Sequence, residues 1–159
     1  MFTKIFLGLG SNLGKSSTNI FEAVKHLNAE PSIQNTKLSP LYFTPPMGPQ
    51  DQPDFINAVL QAETLLTPSQ LLEKIKLIEK KMGREATLRW GPRIIDIDIL
   101  LYGEQIIHTS ELSIPHIGIS ERIFVLYPLA DLDKQLKIPG LGPLTELIDH
   151  LGNAKIHKI

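Results

Sequence analysis

Strand-like and helix-like segments alternate over the first hundred residues in an order that few folds share. Apolar residues at every second position predict a strand, and apolar residues three or four positions apart predict a helix with one buried face. The predicted elements are a strand at 3–10, a helix at about 17–28, β-compatible residues at 32–43, a strand at 55–64, a helix from 67–68 to 82, and a strand over 93–101 that ends near 102–103.

Proline and glycine mark the boundaries of these elements. The segment from Thr44 to Pro53 holds four of the chain's twelve prolines, which predicts an irregular loop. Pro68 suits the first turn of a helix, and Gly83 suits the position just after a helix ends. The last third is predicted to contain a short IPH segment and helices at about 120–132 and 143–151.

The order β-α-β-β-α-β is the split β-α-β arrangement of ferredoxin-like folds. We therefore predict an α+β fold with a mostly antiparallel four-stranded sheet, two helices packed on one face, and a C-terminal extension. The sequence shows no internal repeat, linker or low-complexity stretch. Since 159 residues is an ordinary length for one domain, we predict that residues 1–159 form a single domain.

Charge and composition limit the kinds of partner and chemistry that the protein can have. Sixteen Lys and Arg stand against seventeen Asp and Glu, so the net charge of −1 does not indicate binding to nucleic acid or to a membrane surface. The chain has no cysteine, which excludes disulfides, thiolate nucleophiles and thiolate-bound zinc. No apolar run has the length expected of a signal peptide or a membrane span. We expect a cytoplasmic protein that acts as a monomer.

Two aspartates interrupt an otherwise apolar strand in the stretch RIIDIDILL. Aspartate is a poor strand former, and side chains two positions apart share one face of a strand. Asp96 and Asp98 are therefore predicted to point the same way, with Cα atoms roughly 7 Å apart. The apolar residues of the opposite face, which we assign to the core, are Ile95, Ile97, Ile99 and Leu101.

A solvated sheet face is one explanation for the aspartate pair, since antiparallel sheets often leave one face wet. Ile94 and Leu100 are expected beside the aspartates on that face, however, and such neighbours favour a binding site. Carboxylates are hard ligands suited to Mg²⁺, and two of them on one face suit a pair of ions about 4 Å apart.

Three arginines precede this strand in the stretch GREATLRWGPR: Arg84, Arg89 and Arg93. Arginine forks match phosphate oxygens, so carboxylates beside an arginine loop favour phosphoryl chemistry with bound metal. The alternative is that one of these arginines pairs with the acids. Further along, His116 and Arg122 are candidate phosphate contacts, although a single histidine is a weak signal.

Glu79 falls inside the apolar stripe of the second predicted helix, beside Leu72 and Ile75. Its carboxylate either reaches water at the rim of the stripe or meets a ligand near the sheet. The helical pattern leaves both interpretations open.

The glycine-rich stretch GLGSNLG, residues 8–14, does not have the G-x-G-x-x-G spacing of a dinucleotide-binding loop. It also follows a strand in a split β-α-β layout, where such a loop is not expected. We interpret it as a tight turn from strand to helix. A phosphate donor would then have to be held by side chains and metal.

With these residues assembled, the chain resembles the 6-hydroxymethyl-7,8-dihydropterin pyrophosphokinase family of folate biosynthesis. The resemblance runs from IFLGLGSNLG to about Leu132, and its most specific element is RWGPRIIDIDILLYG. The stretch TPPMGPQDQPDFINAV and the IPH…R-x-F segment match in the same order at similar spacing. The resemblance implies transfer of pyrophosphate from ATP to the pterin hydroxymethyl oxygen, with release of AMP.

The resemblance also implies which residues meet the nucleotide. Asp96 and Asp98 would ligate two Mg²⁺ ions, and they would act in catalysis with Arg84 and Arg93. Trp90 would lie on a mobile loop that seals the site. The positions assigned to ATP are Glu79, Arg84, Arg89, Trp90, Arg93, Ile99, Ser113, His116 and Arg122.

A second set of positions is implied for the pterin. Asn57 would hydrogen-bond to the ring, and Phe55 with Phe124 would sandwich it by stacking. The positions assigned to the pterin are Thr44, Pro45, Pro46, Met47, Phe55, Asn57, Asp96 and Phe124.

Two other functions stay open on the residues alone. One is a ferredoxin-like module that binds a small ligand without chemistry, and the aspartate pair beside an arginine loop argues against it. The other is a metal-dependent phosphohydrolase, in which water replaces the pterin. The aromatic pair Phe55 and Phe124, together with Asn57, argues for an organic ring as the acceptor instead.

Overall fold

An antiparallel sheet lies at the centre of the fold in the computed structural model, which describes residues 1–45, 53–83 and 94–151 and the backbone of 157–158. The strands are β1 (Thr3–Ser11), β2 (Ile33–Leu38), β3 (Tyr42–Thr44), β4 (Phe55–Thr64), β5 (Asp96–Tyr102), β6 (Ile107–His108), β7 (Ser113–Ile114), β8 (Lys137–Ile138), β9 (Gly142–Pro143) and β10 (His157–Lys158). The helices are α1 (Ser16–Asn28), α2 (Pro68–Lys81), α3 (Ile123–Leu132) and α4 (Leu144–Leu151), and a short 3-10 turn spans Ile119–Glu121. These bounds confirm the predicted helices and the strands predicted at 3–10 and 55–64.

The strand order across the main sheet is β10-β3-β4-β1-β5, and β2 also pairs with β4. Every neighbouring pair is antiparallel. β1 therefore lies between β4 and β5, with Leu9 opposite Ala58 of β4 and opposite Ile97 of β5. The antiparallel sheet is confirmed, and the part of the chain that the structure describes gives it six strands where four were expected.

The stretch 32–43 forms two strands because Ser39 and Pro40 interrupt it. β2 pairs with one end of β4, and β3 pairs with the other. Ser39 is buried between them: its N–H donates to the carbonyl of Val59 (2.9 Å), and its hydroxyl accepts from the N–H of Val59 (2.8 Å). Pro40 has no N–H, so the ladder of backbone hydrogen bonds does not continue through it.

Helices α1 and α2 cover one face of the sheet and bury the first core, which includes Leu71 and Ile75 of α2. A capping box begins α2: the Thr67 hydroxyl accepts from the N–H of Gln70 (3.2 Å), and the Gln70 side chain accepts from the N–H of Thr67 (2.9 Å). Gly83, just beyond the helix end as predicted, has a φ of 86°, a conformation that favours glycine.

Helices α3 and α4 cover the other face and bury a second core. This core joins Phe6 of β1 and Val59 of β4 to Leu126 and Leu129 of α3. The predicted C-terminal extension is thus a second layer of helices, and β1 is buried on both faces. Among the helices of the described residues, none is long and apolar enough to cross a membrane.

A β-bulge at Leu100 changes which side chains of β5 face each core. Ile99 and Leu101 pair with successive residues of β1, so Leu100 is an extra residue between them. Leu100 and Leu101 consequently both lie in the second core, and the prediction that Leu101 faces the first core is wrong. Ile94 precedes the strand and packs against the first core, so its predicted place beside the aspartates is also wrong. The residues whose predicted place in the first core is confirmed are Ile95, Ile97 and Ile99.

Tyr42 ties β3 to α3, because its hydroxyl donates a hydrogen bond to the carboxylate of Asp131. Tyr42 is buried, and burial together with the nearby carboxylate raises the pKa of its hydroxyl. We expect Tyr42→Phe to lower the free energy of unfolding by about 1–2 kcal/mol, since a hydrogen bond to a charged acceptor is lost. Urea denaturation measures this change.

Tyr127→Phe is the matched control for Tyr42→Phe. The two rings are in tilted contact, with centroids 6.3 Å apart, and removal of the Tyr127 hydroxyl leaves both this contact and the bond to Asp131 in place. We expect its effect to stay within about 0.5 kcal/mol. Equal losses in the two variants would contradict a specific role for the Tyr42–Asp131 bond.

Candidate active site

Asp96 and Asp98 lie at the start of β5, which forms one edge of the described sheet beside β1. Asp96 is opposite Gly10 and Asp98 is opposite Gly8, while Ile97 between them belongs to the first core. Since side chains alternate between the faces of a strand, both carboxylates lie on the face away from α1 and α2. Both residues are half-buried, and their predicted shared face is confirmed.

Glu79 of α2 holds this acidic strand from the opposite face. Its side chain is buried, and Oε2 accepts a hydrogen bond from the N–H of Ile97 (2.9 Å), the residue between the two aspartates. Lys76 Nζ lies 3.9 Å from Oε1, with 65% of the lysine side chain exposed. The interpretation that Glu79 reaches water at the rim of its helix is wrong, because the carboxylate is buried and accepts a backbone hydrogen bond from the outer edge of β5. Contact between Glu79 and a nucleotide stays a prediction.

Asn57, Gly10 and Asp96 form one row across three strands. Gly10 of β1 is opposite Asn57 of β4 on one side and opposite Asp96 of β5 on the other. Directly opposed residues of antiparallel strands place their side chains on the same face, so Asn57 and Asp96 flank Gly10 on one surface. Asn57 Nδ2 donates to Thr44 Oγ1 (2.7 Å), which fixes the orientation of the amide.

Phe55 and Phe124 lie on this same side of the sheet. Phe55 begins β4 two residues before Asn57, on the same face, and is opposite Thr44. Phe124 lies at the start of α3, packed against the second core, and the guanidinium of Arg122 is 5.9 Å from its ring centroid. Both rings are half-buried. Their sandwich of a pterin stays a prediction.

His116 approaches Asp98 from the segment that follows β7. The N–H of His116 donates to the carbonyl of Leu100 (3.1 Å), which attaches this segment to β5. Its Nε2 lies 3.7 Å from Asp98 Oδ1, a distance too long for a hydrogen bond. Its Nδ1 is buried and makes no hydrogen bond within the part of the chain that the structure describes.

The charge state of His116 follows from its surroundings. Burial lowers the pKa of the imidazole below its usual value of 6.5, and the positive charge of Arg122 lowers that pKa further. The ring is therefore neutral at pH 7, so one nitrogen donates and the other accepts. Because Nδ1 is buried, the ring nitrogen placed to meet a ligand is Nε2, which lies beside the Asp98 carboxylate.

The remaining predicted positions are three described residues, Ile99, Ser113 and Pro45, and six outside the described residues. Ile99 is buried in the first core, so its side chain faces α1 and α2. Ser113 belongs to the β6–β7 hairpin, where its hydroxyl is 3.3 Å from His108 Nδ1. Pro45 follows β3 and is exposed. The predicted site residues outside the described residues are Pro46, Met47, Arg84, Arg89, Trp90 and Arg93.

Sequence reasoning missed two features of this site. The first is the bond from Ile97 to Glu79, which joins a strand backbone to a helix side chain and leaves no trace in either apolar pattern. The second is Gly10. The interpretation of residues 8–14 as a turn applies only beyond Ser11, because Gly8 and Gly10 lie inside β1. Their alternation with Leu7 and Leu9 was the available signal.

These groups together are typical of an enzyme that transfers phosphoryl or pyrophosphoryl groups to a polar ring compound: a carboxylate pair, a neutral imidazole, an arginine and an oriented amide beside aromatic rings. The family model described as 7,8-dihydro-6-hydroxymethylpterin-pyrophosphokinase matches residues 6–134. The chain therefore belongs to the 7,8-dihydro-6-hydroxymethylpterin-pyrophosphokinase family, as the resemblance of its motifs predicts.

Curated relatives agree with this assignment. The 2-amino-4-hydroxy-6-hydroxymethyldihydropteridine pyrophosphokinase of Pseudomonas aeruginosa is 43% identical over 148 residues, which cover 93% of this chain and 91% of that protein. The proteins of the same name from Haemophilus influenzae and Bacillus subtilis are 38% and 41% identical, over 97% and 83% of this chain and 96% and 79% of their own lengths. Membership of this family sets aside the binding module and the phosphohydrolase.

Solved structures support the fold. The HPPK-DHPS protein of Plasmodium falciparum, crystallised with pteroate, matches with a TM-score of 0.76 at 19% sequence identity. The match covers 94% of this chain and 42% of that chain, so this chain spans less than half of the solved protein. At this identity the likeness concerns the fold alone.

We expect Glu79→Ala to lower the free energy of unfolding by about 2 kcal/mol, because the N–H of Ile97 loses its acceptor at a buried position. Glu79→Gln retains an oxygen that accepts the same hydrogen bond and should cost less. Urea denaturation at pH 7 measures both variants. Lys76→Ala is the control: its ammonium group is 3.9 Å from Oε1 and 65% of the lysine side chain is exposed, so we expect this ion pair to contribute no more than about 1 kcal/mol. A loss in Lys76→Ala as large as in Glu79→Ala would show that the ion pair, and not the backbone bond, stabilises the strand.

Proposed function

We propose that pyrophosphate transfer takes place on the sheet face that carries Asp96, Asp98 and Asn57. As a member of its family, the chain transfers pyrophosphate to hydroxymethyldihydropterin in folate biosynthesis. The observation that carries the assignment of the site is the row of Asn57, Gly10 and Asp96 in register, since it puts an amide suited to a ring and a carboxylate pair on one surface.

In the proposed reaction ATP is the donor. The hydroxymethyl oxygen attacks the β-phosphorus, and a new oxygen–phosphorus bond forms there. The bond between the β-phosphorus and the oxygen that bridges to the α-phosphorus breaks, AMP leaves, and the hydroxyl proton is released. The pterin then carries the pyrophosphate.

The carboxylate pair fits Mg²⁺, which binds one or two carboxylates and completes its octahedron with water and phosphate oxygens. Among the described residues no group of three or more His, Cys, Asp or Glu side chains that could hold a metal ion occurs. We propose that Asp96 and Asp98 hold two Mg²⁺ ions. Bound there, the ions would neutralise charge on the polyphosphate and make the acceptor hydroxyl more acidic.

Asn57 is proposed to recognise the polar edge of the pterin. Its Nδ2 already donates to Thr44, so Oδ1 is the atom that accepts from ring N–H groups, including the 2-amino group. Phe55 and Phe124 offer aromatic faces on the same side of the sheet. Stacking of a flat ring on such faces contributes about 0.5–1.5 kcal/mol for each pair.

His116 and Arg122 are proposed to hold the polyphosphate. The neutral imidazole donates one N–H to a phosphate oxygen, and the arginine presents a planar fork. His116 Nε2 lies 3.7 Å from Asp98, and Arg122 is near enough to lower the pKa of His116. The nucleotide is therefore assigned to the β5 side of the row and the pterin to the β4 side.

The rest of the proposed site has the support of the sequence alone. Arg84, Arg89 and Arg93 are proposed to bind phosphates, and Trp90 is proposed to close over the nucleotide. The other proposed contacts are Pro45, Pro46 and Met47 for the pterin, and Glu79, Ile99 and Ser113 for ATP.

We also infer a ferredoxin-like topology. If β2 and β3 are counted as one interrupted strand, the sheet order is fourth, first, third and second strand of a β-α-β-β-α-β unit, with antiparallel neighbours throughout. Residues 1–159 are proposed to act as a single catalytic domain, as a monomer in the cytoplasm, with ATP and the pterin as partners and without nucleic acid or membrane.

We expect Asp96→Ala and Asp98→Ala each to abolish transfer and to leave the fold intact, because both side chains are half-buried on one face and lie outside the two cores. AMP formation with hydroxymethyldihydropterin measures transfer, and thermal unfolding measures the fold. Asp149→Ala, an exposed aspartate of α4, is the control and should retain full activity. Retained activity in either site variant would contradict the metal role.

Isothermal titration separates metal binding from chemistry in the same variants. With wild-type protein, a non-hydrolysable ATP analogue should bind only with Mg²⁺, and the pterin should bind after it. The two aspartate variants should lose the dependence on Mg²⁺. A wild-type protein that binds the analogue equally well without Mg²⁺ would contradict the proposed metal site.

We expect Arg93→Ala mainly to lower kcat, because an arginine that clamps phosphates stabilises charge that develops in the transition state. Arg93→Lys keeps the charge without the planar fork and should recover part of the rate. Steady-state kinetics with ATP and pterin varied in turn measure the effect. Kinetics of Arg93→Ala equal to those of the wild type would remove this residue from the site.

A further inference from the structure

Gly10 leaves a bare stretch of backbone in the middle of the row that Asn57 and Asp96 flank. A Cβ atom built on Gly10 would lie 2.8 Å from Oδ1 of Asn57, a contact that real Cβ atoms essentially never make. Its next neighbour would be Cδ1 of Phe55 at 3.8 Å, an ordinary van der Waals distance. The amide of Asn57 therefore occupies the space in which any other residue at position 10 would place its side chain.

The backbone does not require glycine at this position. Among the described residues, the glycines with positive φ are residues 14, 83, 103, 118, 140 and 142, and Gly10 is not among them. Glycine inside a strand weakens it, because the backbone is freer in the unfolded chain and no side chain packs. Gly10 thus serves something other than the fold, and the close approach of Asn57 identifies what that is.

The spacing between strands sets the distance between the two polar groups that flank Gly10. Neighbouring strands lie about 4.8 Å apart, so Asn57 and Asp96 stand roughly 10 Å from each other across Gly10. The amide is held over the strand by its bond to Thr44 Oγ1. A flat ring bound on this surface would therefore meet the amide that covers Gly10 and would extend toward the carboxylate of Asp96 at the other end of the row.

We propose that Gly10 is a positioning residue for the ring acceptor: its missing side chain lets the Asn57 amide fold over β1, with Oδ1 presented to the ring and aligned with Asp96. The inference rests on the proposed role of Asn57 in binding the pterin. It assigns to the glycine-rich stretch a part in recognition of the acceptor, and no part in binding the nucleotide.

A methyl group at position 10 would displace the amide and leave the sheet in place. Oδ1 is the far end of a rotatable side chain, so Asn57 can turn away, but it then loses the geometry of its bond to Thr44. Gly8 is the natural comparison on the same face of β1. The three atoms nearest to a Cβ there would be side-chain atoms of Leu100, at 3.3–3.5 Å, within the second core.

The experiment compares Gly10→Ala, Gly8→Ala, Asn57→Ala and the double variant Gly10→Ala/Asn57→Ala. Isothermal titration measures the Kd of hydroxymethyldihydropterin in the presence of a non-hydrolysable ATP analogue and Mg²⁺, and the Kd of the analogue itself. Thermal unfolding reports the fold. We expect Gly10→Ala to raise the Kd of the pterin about tenfold or more, the effect of one well-placed hydrogen bond, and to leave the Kd of the analogue within about twofold.

The double variant tests the mechanism. If Gly10→Ala acts by displacing the amide, it should add less than about twofold to the Kd of the pterin once Asn57 is already alanine. Gly8→Ala should lower the melting temperature without weakening binding of the pterin. If Gly10→Ala does not fold while the double variant does, the clash with Asn57 is supported. If neither folds, Gly10 serves the fold and the proposal is wrong.

Three further results would overturn the proposal. The first is a Gly10→Ala variant that binds the pterin with wild-type affinity. The second is a Gly8→Ala variant that loses as much affinity for the pterin as Gly10→Ala does. The third is a double variant in which Gly10→Ala reduces affinity for the pterin as much as it does when Asn57 is present. If Asn57→Ala binds the pterin normally, the proposed role of Asn57 fails and this inference falls with it. If Asn57→Ala weakens binding of the pterin and Gly10→Ala does not, only the inference about Gly10 is wrong.

Discussion

The antiparallel pairing of β1 with a neighbour on each side is the constraint on which the site depends. One register sets Gly10 opposite Asn57, and the other sets it opposite Asp96. A slip of one residue in either pairing would turn a whole strand over, so that apolar core residues replaced the polar ones on the site face. The two cores prevent such a slip, because β1 buries Leu7 and Leu9 on one face and Phe6 on the other.

The acidic strand lies at an edge of the described sheet and is nonetheless held from several sides. β1 pairs along one side of it. Along the other side, Glu79 accepts from the N–H of Ile97, and the N–H of His116 donates to the carbonyl of Leu100. Fixed backbone around the aspartates keeps two like charges close together before any ligand arrives, which lowers the reorganisation needed on binding. The cost is the placement of a buried carboxylate on the apolar face of α2.

Much of this arrangement follows from local patterns. The alternation of Ile95, Ile97 and Ile99 predicts both the first core and the shared face of the aspartates, because a two-residue period depends only on strand geometry. The bulge at Leu100 cannot be predicted in this way, since it is set by pairing with β1, a strand about ninety residues earlier in the chain. The same limit applies to Glu79 and Gly10. The apolar stripe singles out Glu79 and the alternation with leucine singles out Gly10, but their partners are atoms that only the tertiary fold brings near, so residue spacing does not predict their roles.

The bulge in β5 also divides that strand into two parts whose side chains face different surroundings. Before it, successive residues alternate between the first core and the site; after it, Leu101 joins the second core and Tyr102 returns to the first. The extra residue takes up the change of phase, so that Leu101 enters the second core while the residues before the bulge keep their alternation. One edge strand can in this way contribute side chains to both cores and still present the two acids on a single surface.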